Sequence, residues 1–155
     1  MAGRIEARLK ELGIELPQPA APLANYVGYS VCGSLVIVAG QLCTWNGQLR
    51  HVGKLGAGIA IPEGQQAARL CALNVLAQAR AAAGGDLDRI RRVLRLGGFV
   101  NCTPDFTDMP QVVNGASDVM VEVFGEAGKH ARAAVGVASL PGGVAVEVEG
   151  MFELG

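Results

Sequence analysis

At 155 residues, with half of them hydrophobic and only 17% charged, the chain is long enough to bury the core of one domain and too poor in charge to cover it alone, which predicts burial against copies of itself. Its net charge of -1 gives no bulk attraction to nucleic acid or to a membrane surface. No stretch reaches the roughly 18 consecutive apolar residues that span a bilayer. The opening MAGRIEARLKEL is a charged amphipathic segment rather than a secretory signal, so a cytoplasmic protein is expected.

Ile5, Leu9 and Leu12 recur at helical spacing and stop at Gly13, which predicts a short first helix. Residues 17–22 are proline- and alanine-rich and read as a linker into a first strand over residues 26–32. After Gly33 comes Leu35-Val36-Ile37-Val38-Ala39, β-branched and apolar throughout. It predicts a strand buried on both faces, one under helices and the other under something the monomer does not supply, ending at Gly40-Gln41. Trp45-Asn46-Gly47-Gln48 is a turn ahead of a short extended piece over residues 49–54.

Pro62 and Glu63 suit a helix start, and a long helix follows with an apolar stripe of Ala67, Leu70, Cys71, Asn74 and Ala77, widened by Leu73, Leu76 and Ala81, until Gly84-Gly85. Residues 90–101 read as a strand. After the loop at 103–107, residues 109–124 form a second helix with Met109, Val112, Val113, Ala116, Val119, Met120 and Val123 on one face, and Gly125 stops it. The order predicts an α+β architecture: a mostly antiparallel sheet with two helices packed on one face.

The last quarter, HARAAVGVASLPGGVAVEVEGMF, predicts an antiparallel hairpin turning at Leu140-Pro141-Gly142-Gly143. With Ser139 opposite Val144, one face carries Ala133, Val135, Val137, Val144, Val146 and Val148 and is buried. The other carries Arg132, Ala134, Gly136 and Ala138 beside Glu147, Glu149 and Met151. That second face is a floor of small side chains under one guanidinium and two carboxylates. Two readings stand: a surface ion pair, or a sheltered site where an arginine fork receives a small carboxylate.

Other constellations are weaker. No phosphate-binding loop, dinucleotide fingerprint, nucleophile elbow or metal-protease motif is present. Cys32, Cys43, Cys71 and Cys102 form no CxxC pair and read as small buried hydrophobes, with no metal site expected. Arg89, Arg91, Arg92 and Arg95 lack the interleaved aromatics that would stack bases, so they read as a solvated strand start and no nucleic-acid partner is expected. His130 points the same way as Arg132 and, with no nucleophile near it in sequence, reads as a surface or interface histidine.

The run from Ala131 to Phe152, with Tyr26-Val27, LVIVAGQ ending at Gly40-Gln41, and Asn114, resembles the RidA/YjgF/UK114 family of reactive-intermediate deaminases over residues 22–154. The resemblance implies a chorismate-mutase-like fold of the bacillus type and a homotrimeric barrel with clefts between subunits. It implies a single domain over residues 1–155, in which residues 1–24 are an N-terminal helix and linker extension. It also implies that Arg132 holds a substrate carboxylate, that Glu147 positions a water, and that Tyr26, Gly40 and Asn114 line the cleft. No metal or organic cofactor is implied. Ala134 and Ala39 stand where typical members carry cysteine and serine, and the N-terminal extension and the segment from Trp45 to Lys54 resemble those of a less-studied branch.

The expected function is therefore hydrolytic deamination of enamine and imine intermediates such as 2-aminoacrylate to 2-keto acids and ammonia. A non-catalytic sensor of small carboxylates is the alternative. RNA cleavage, which the label endoribonuclease L-PSP has attached to the wider family, is the third.

Overall fold

The computed structural model describes residues 3–22 and 24–155. Helix α1, Arg4–Glu11, buries Ile5 and Leu9 and leaves through Gly13 at φ 69°, where the Ile14 N–H reaches the Leu9 carbonyl at 2.8 Å. No side chain of its own caps its start. Asp88 does so from 83 residues away, its two carboxylate oxygens each accepting at 2.8 Å from the N–H groups of Arg4 and Ile5.

Strands β1, Tyr29–Cys32, and β2, Leu35–Leu42, follow. A small hairpin pairs β3, Thr44–Trp45, with β4, Gln48–Leu49, around Asn46 and Gly47 at φ 48° and 86°, the positive angles a two-residue turn demands. Then come β5, Lys54–Leu55, β6, Gly58–Ile59, and α2, Ile61–Ala82. The chain continues through β7, Ile90–Asn101, α3, Met109–Phe124, β8, Ala131–Val137, and β9, Val146–Leu154.

Five strands form one sheet in the order β1-β2-β9-β7-β8, antiparallel except for β7 with β8. Helices α2 and α3 cover one face, as the apolar periodicity requires. In α3 the predicted stripe is buried from Val112 to Val123, joined by Phe124. In α2 burial is broader than predicted, taking in Ala68, Ala72, Val75 and Ala79, while Ala81 is exposed, because the helix packs between the sheet and α3. Val36 and Val38 lie under the helices; Ile37, between them, points to the other face and stays 40% exposed.

Three expectations are corrected. The first strand starts at Tyr29 rather than residue 26, leaving Tyr26 and Val27 exposed ahead of it. The second runs through Gly40-Gln41 to Leu42 by means of an irregularity between Val38 and Gln41.

The closing segment is not a hairpin. β8 lies parallel to β7 at the sheet edge, and β9 inserts between β2 and β7. The connection crosses the end of β7. Buried Asn101 holds it there, donating from Nδ2 to the Val144 carbonyl at 3.1 Å and the Gly53 carbonyl at 3.3 Å, while its backbone N–H donates to Ala145. The faces are redistributed accordingly. Val146 and Val148 are buried under the helices, whereas Arg132, Ala134 and Gly136 share that helix side at the edge. Val135 lies on the open face with Glu147, Glu149 and Met151.

Candidate functional site

The site residues fall into two groups. Gly98 prepares the first: any side chain at that position on β7 would drive into Val113, a methyl coming within 2.5 Å of its Cγ2, so glycine lets α3 settle directly on the sheet. Ala134 is the β8 partner of Gly98. Asn114 and Ser117, one turn apart on α3, therefore overhang the edge strand. Arg132 Nη1 donates to Asn114 Oδ1 at 2.8 Å and to Ser117 Oγ at 3.2 Å. Arg132 and Asn114 thus meet, with Ala134 two residues further along β8 on the same face.

The same place holds a contact the sequence analysis missed. Ser117 Oγ lies 2.9 Å from His130 Nε2, and His130 Nδ1 lies 2.7 Å from the Gly128 carbonyl. A serine does stand beside His130, contributed by α3 from 13 residues away. The signal lay in two spacings: Asn114 with Ser117 share a helix face, and His130 with Arg132 share a strand face. Each pair was visible, but not that α3 would lie on β8.

The second group is centred on β2 and β9. Tyr26, Gly40, Leu42 and Leu49 line a cleft of about 230 Å³ whose wall is completed by Ala20 and Pro22 of the linker. Glu147 is the β9 partner of Leu42. A methyl at Gly40 would meet the Glu147 carboxylate, so glycine here leaves the carboxylate room to lie against β2. Burial, and secondarily the nearby Glu149, hold the Glu147 carboxyl above the usual carboxylate range.

Cys43, next on the chain after Leu42, is buried on the helix side near Cys71. A hydrogen bond from Cys71 lowers Cys43 to about 7, while burial pushes the Cys71 thiol up. Cys43, Cys71 and Cys102 are the buried thiols expected; Cys32 is exposed at the end of β1.

Arg132 does not meet Glu147 or Glu149 within this chain. Arg132 is opposite Leu96, and Leu96 is opposite Gly150, so Glu147 lies two strands across and three residues along. Strand spacing and rise put their backbones about 14 Å apart, with the side chains on opposite faces. Glu149 pairs instead with Arg95 at 3.0 Å, and Arg92 with Glu153 at 3.1 Å, so part of the basic cluster is neutralised by its own sheet. Among the described residues no group of three or more His, Cys, Asp or Glu could hold a metal ion, and no helix is long and apolar enough to cross a membrane.

The family profile described as "YjgF/chorismate mutase-like, putative endoribonuclease" matches residues 6–148. The chain belongs to this RidA/YjgF family. Protein TCP17 of Trypanosoma cruzi is 52% identical over 154 residues, 99% of this chain and 96% of that protein. The crystal structure of Atu1372 from Agrobacterium tumefaciens, a protein of unknown function, shares 47% identity at a TM-score of 0.90 over 97% of this chain and 93% of its own. Escherichia coli TdcF, solved with bound serine, shares the fold at 24% identity and a TM-score of 0.62, covering 90% of this chain and 94% of its own.

Proposed function

We propose that the chain hydrolyses 2-imino acids to 2-keto acids and ammonia, in a cleft that two copies of the chain complete between them. The observation that carries this is the split of the site: an anion-binding half at the β8 edge, with Arg132, Asn114 and Ala134, and a carboxylate half at Tyr26, Gly40 and Glu147. One chain cannot bring both to a small substrate. A second copy can, and the uncovered sheet face with Ile37, Met151 and Val135 is apolar enough to be buried in a trimeric barrel. The bound serine in TdcF supports a small amino-acid-like ligand in this fold.

Arg132 receives the substrate carboxylate through its planar fork, which fixes the C=N carbon relative to the facing half. Glu147 of the facing copy orients a water and takes up one of its protons as the oxygen adds to that carbon. Glu147 then gives that proton to the nitrogen, leaving a carbinolamine; the carboxylate relays the hydroxyl proton to the amino group, the C–N bond breaks, ammonia leaves and a carbonyl remains. A carboxyl held above its usual range suits that shuttle, since it accepts and returns a proton more readily near neutrality. No metal or organic cofactor enters this scheme. The test is to generate 2-aminoacrylate in the presence of the protein and follow 2-keto acid formation; a rate equal to the spontaneous one would reject the enzyme.

A second reading, capture of a small carboxylate without turnover, is favoured by Ala39 and Ala134, which remove two polar groups from the cleft. It predicts saturable 2-keto acid binding with no acceleration. The endoribonuclease label of the family is tested beside them, by incubating RNA with protein freed of metal; intact RNA removes that activity.

A further inference from the structure

We propose that Ser117 and His130 are positioning residues for Arg132, and that the hold they exert on its guanidinium is released by protonation of the imidazole. The direction of each bond follows from donor chemistry. A carbonyl can only accept, so the 2.7 Å contact with Gly128 places the neutral ring's proton on Nδ1. Nε2 is then an acceptor, and the Ser117 hydroxyl must donate to it across 2.9 Å. That commits the hydroxyl hydrogen away from Arg132 and turns an oxygen lone pair toward Nη1, 3.2 Å away. Asn114 Oδ1, at 2.8 Å, is the second acceptor on the same nitrogen. An arginine whose Nη1 is held at two points has its remaining donors aimed in one direction before any anion arrives.

A second proton on the ring undoes this arrangement. Nε2 becomes a donor to Ser117 Oγ, the hydroxyl hydrogen loses its acceptor, and two cations then share one oxygen. The charged groups on the surrounding elements offer no rescue: Glu126 is paired with Lys129 at 3.0 Å, Glu122 with Arg69 at 3.3 Å and Arg95 with Glu149 at 3.0 Å, while Asp118 is exposed on α3. Arg132 is thus the charge that the ring confronts through Ser117. The consequence for ligand rests on the carboxylate-anchor reading above; the hold on the guanidinium does not.

Both parts are measurable on the intact protein. Side-chain ¹⁵N spectra of Arg132 should show resolved Nη resonances, with slow rotation about the Cζ–Nη bonds, at about pH 8 and averaged ones at about pH 5.5. Ser117→Ala should average them at both pH values, and Ser117→Thr, which keeps a hydroxyl, should restore the parent pattern. His130→Gln keeps an acceptor where Nε2 stood and cannot titrate, so its spectrum should stay resolved throughout. Arg132 signals unmoved by Ser117→Ala, or a pH response that survives His130→Gln, would overturn the proposal. Pyruvate titration supplies the second arm. Binding should weaken roughly three- to tenfold in Ser117→Ala and in the parent at low pH, the worth of about one ordinary hydrogen bond. If pyruvate fails to bind while the spectra respond as expected, the carboxylate anchor falls and the positioning role of Ser117 and His130 stands.

Discussion

Arg132 and Glu147 divide the proposed chemistry, and substitutions should separate their parts. Arg132→Lys keeps the charge but loses the planar fork, so affinity for 2-keto acids should drop roughly tenfold to a hundredfold in a calorimetric titration. The fold should survive, because Arg132 is exposed at a sheet edge. Glu147→Gln should leave binding nearly intact and slow turnover at least tenfold, since it removes the proton acceptor and keeps the anchor. It also carries a stability signature. The Glu147 carboxyl is held up in the fold by burial and then by Glu149, so the stability it contributes is full below its unfolded value, near 4.3, and is lost as pH rises through the folded value. Glutamine escapes that loss. The variant should melt on the order of a degree or two above the parent at neutral pH, with the gap closing toward pH 4; a constant gap would contradict the raised carboxyl.

At the scale of elements, the crossover from β8 to β9 depends on Asn101. Asn101→Leu leaves the Gly53 and Val144 carbonyls without their donor and removes the acceptor of Lys54 Nζ, 2.7 Å away. A loss of about 2–4 kcal/mol in urea unfolding is expected from such orphaned groups. Imine hydrolysis should fall with it, because the crossover sets where Glu147 stands relative to β8. This crossover also marks the limit of what the chain discloses as text. Helices α2 and α3 and strand β7 were legible because their apolar periods lead to burial under any topology. The hairpin was not, because alternation along a strand says which residues share a face but nothing about which strand lies alongside. Adjacent strands would put Val144, Val146 and Val148 on one face with Val135; insertion of β9 on the far side of β7 exchanges that grouping. Arg132 and Glu147 could therefore be picked out individually, while their separation onto opposite faces could not.

For the molecule as a whole, the open sheet face and the divided site make one demand. Light scattering at micromolar concentration should give three times the 16.0 kDa chain mass, and a monomer mass would remove the shared cleft. Ile37→Glu places a charge in the middle of that face, opposite Met151. It should shift the mass toward the monomer and abolish turnover, while leaving the Arg132 contacts within each chain unchanged.

The central position of β9 has a consequence for how the chain reaches this state. Strands β2 and β7 are separated by 47 residues and touch the sheet's middle only through β9, which is made after both of them. Until residues 146–154 have emerged, a growing chain has two half-sheets with facing unsatisfied edges and a helical layer with nothing continuous to pack on. Folding must then wait for long-range pairing, a slow route on which unpaired strands are exposed to other chains. Glu147, carried by that last strand, reaches its place only as the gap closes.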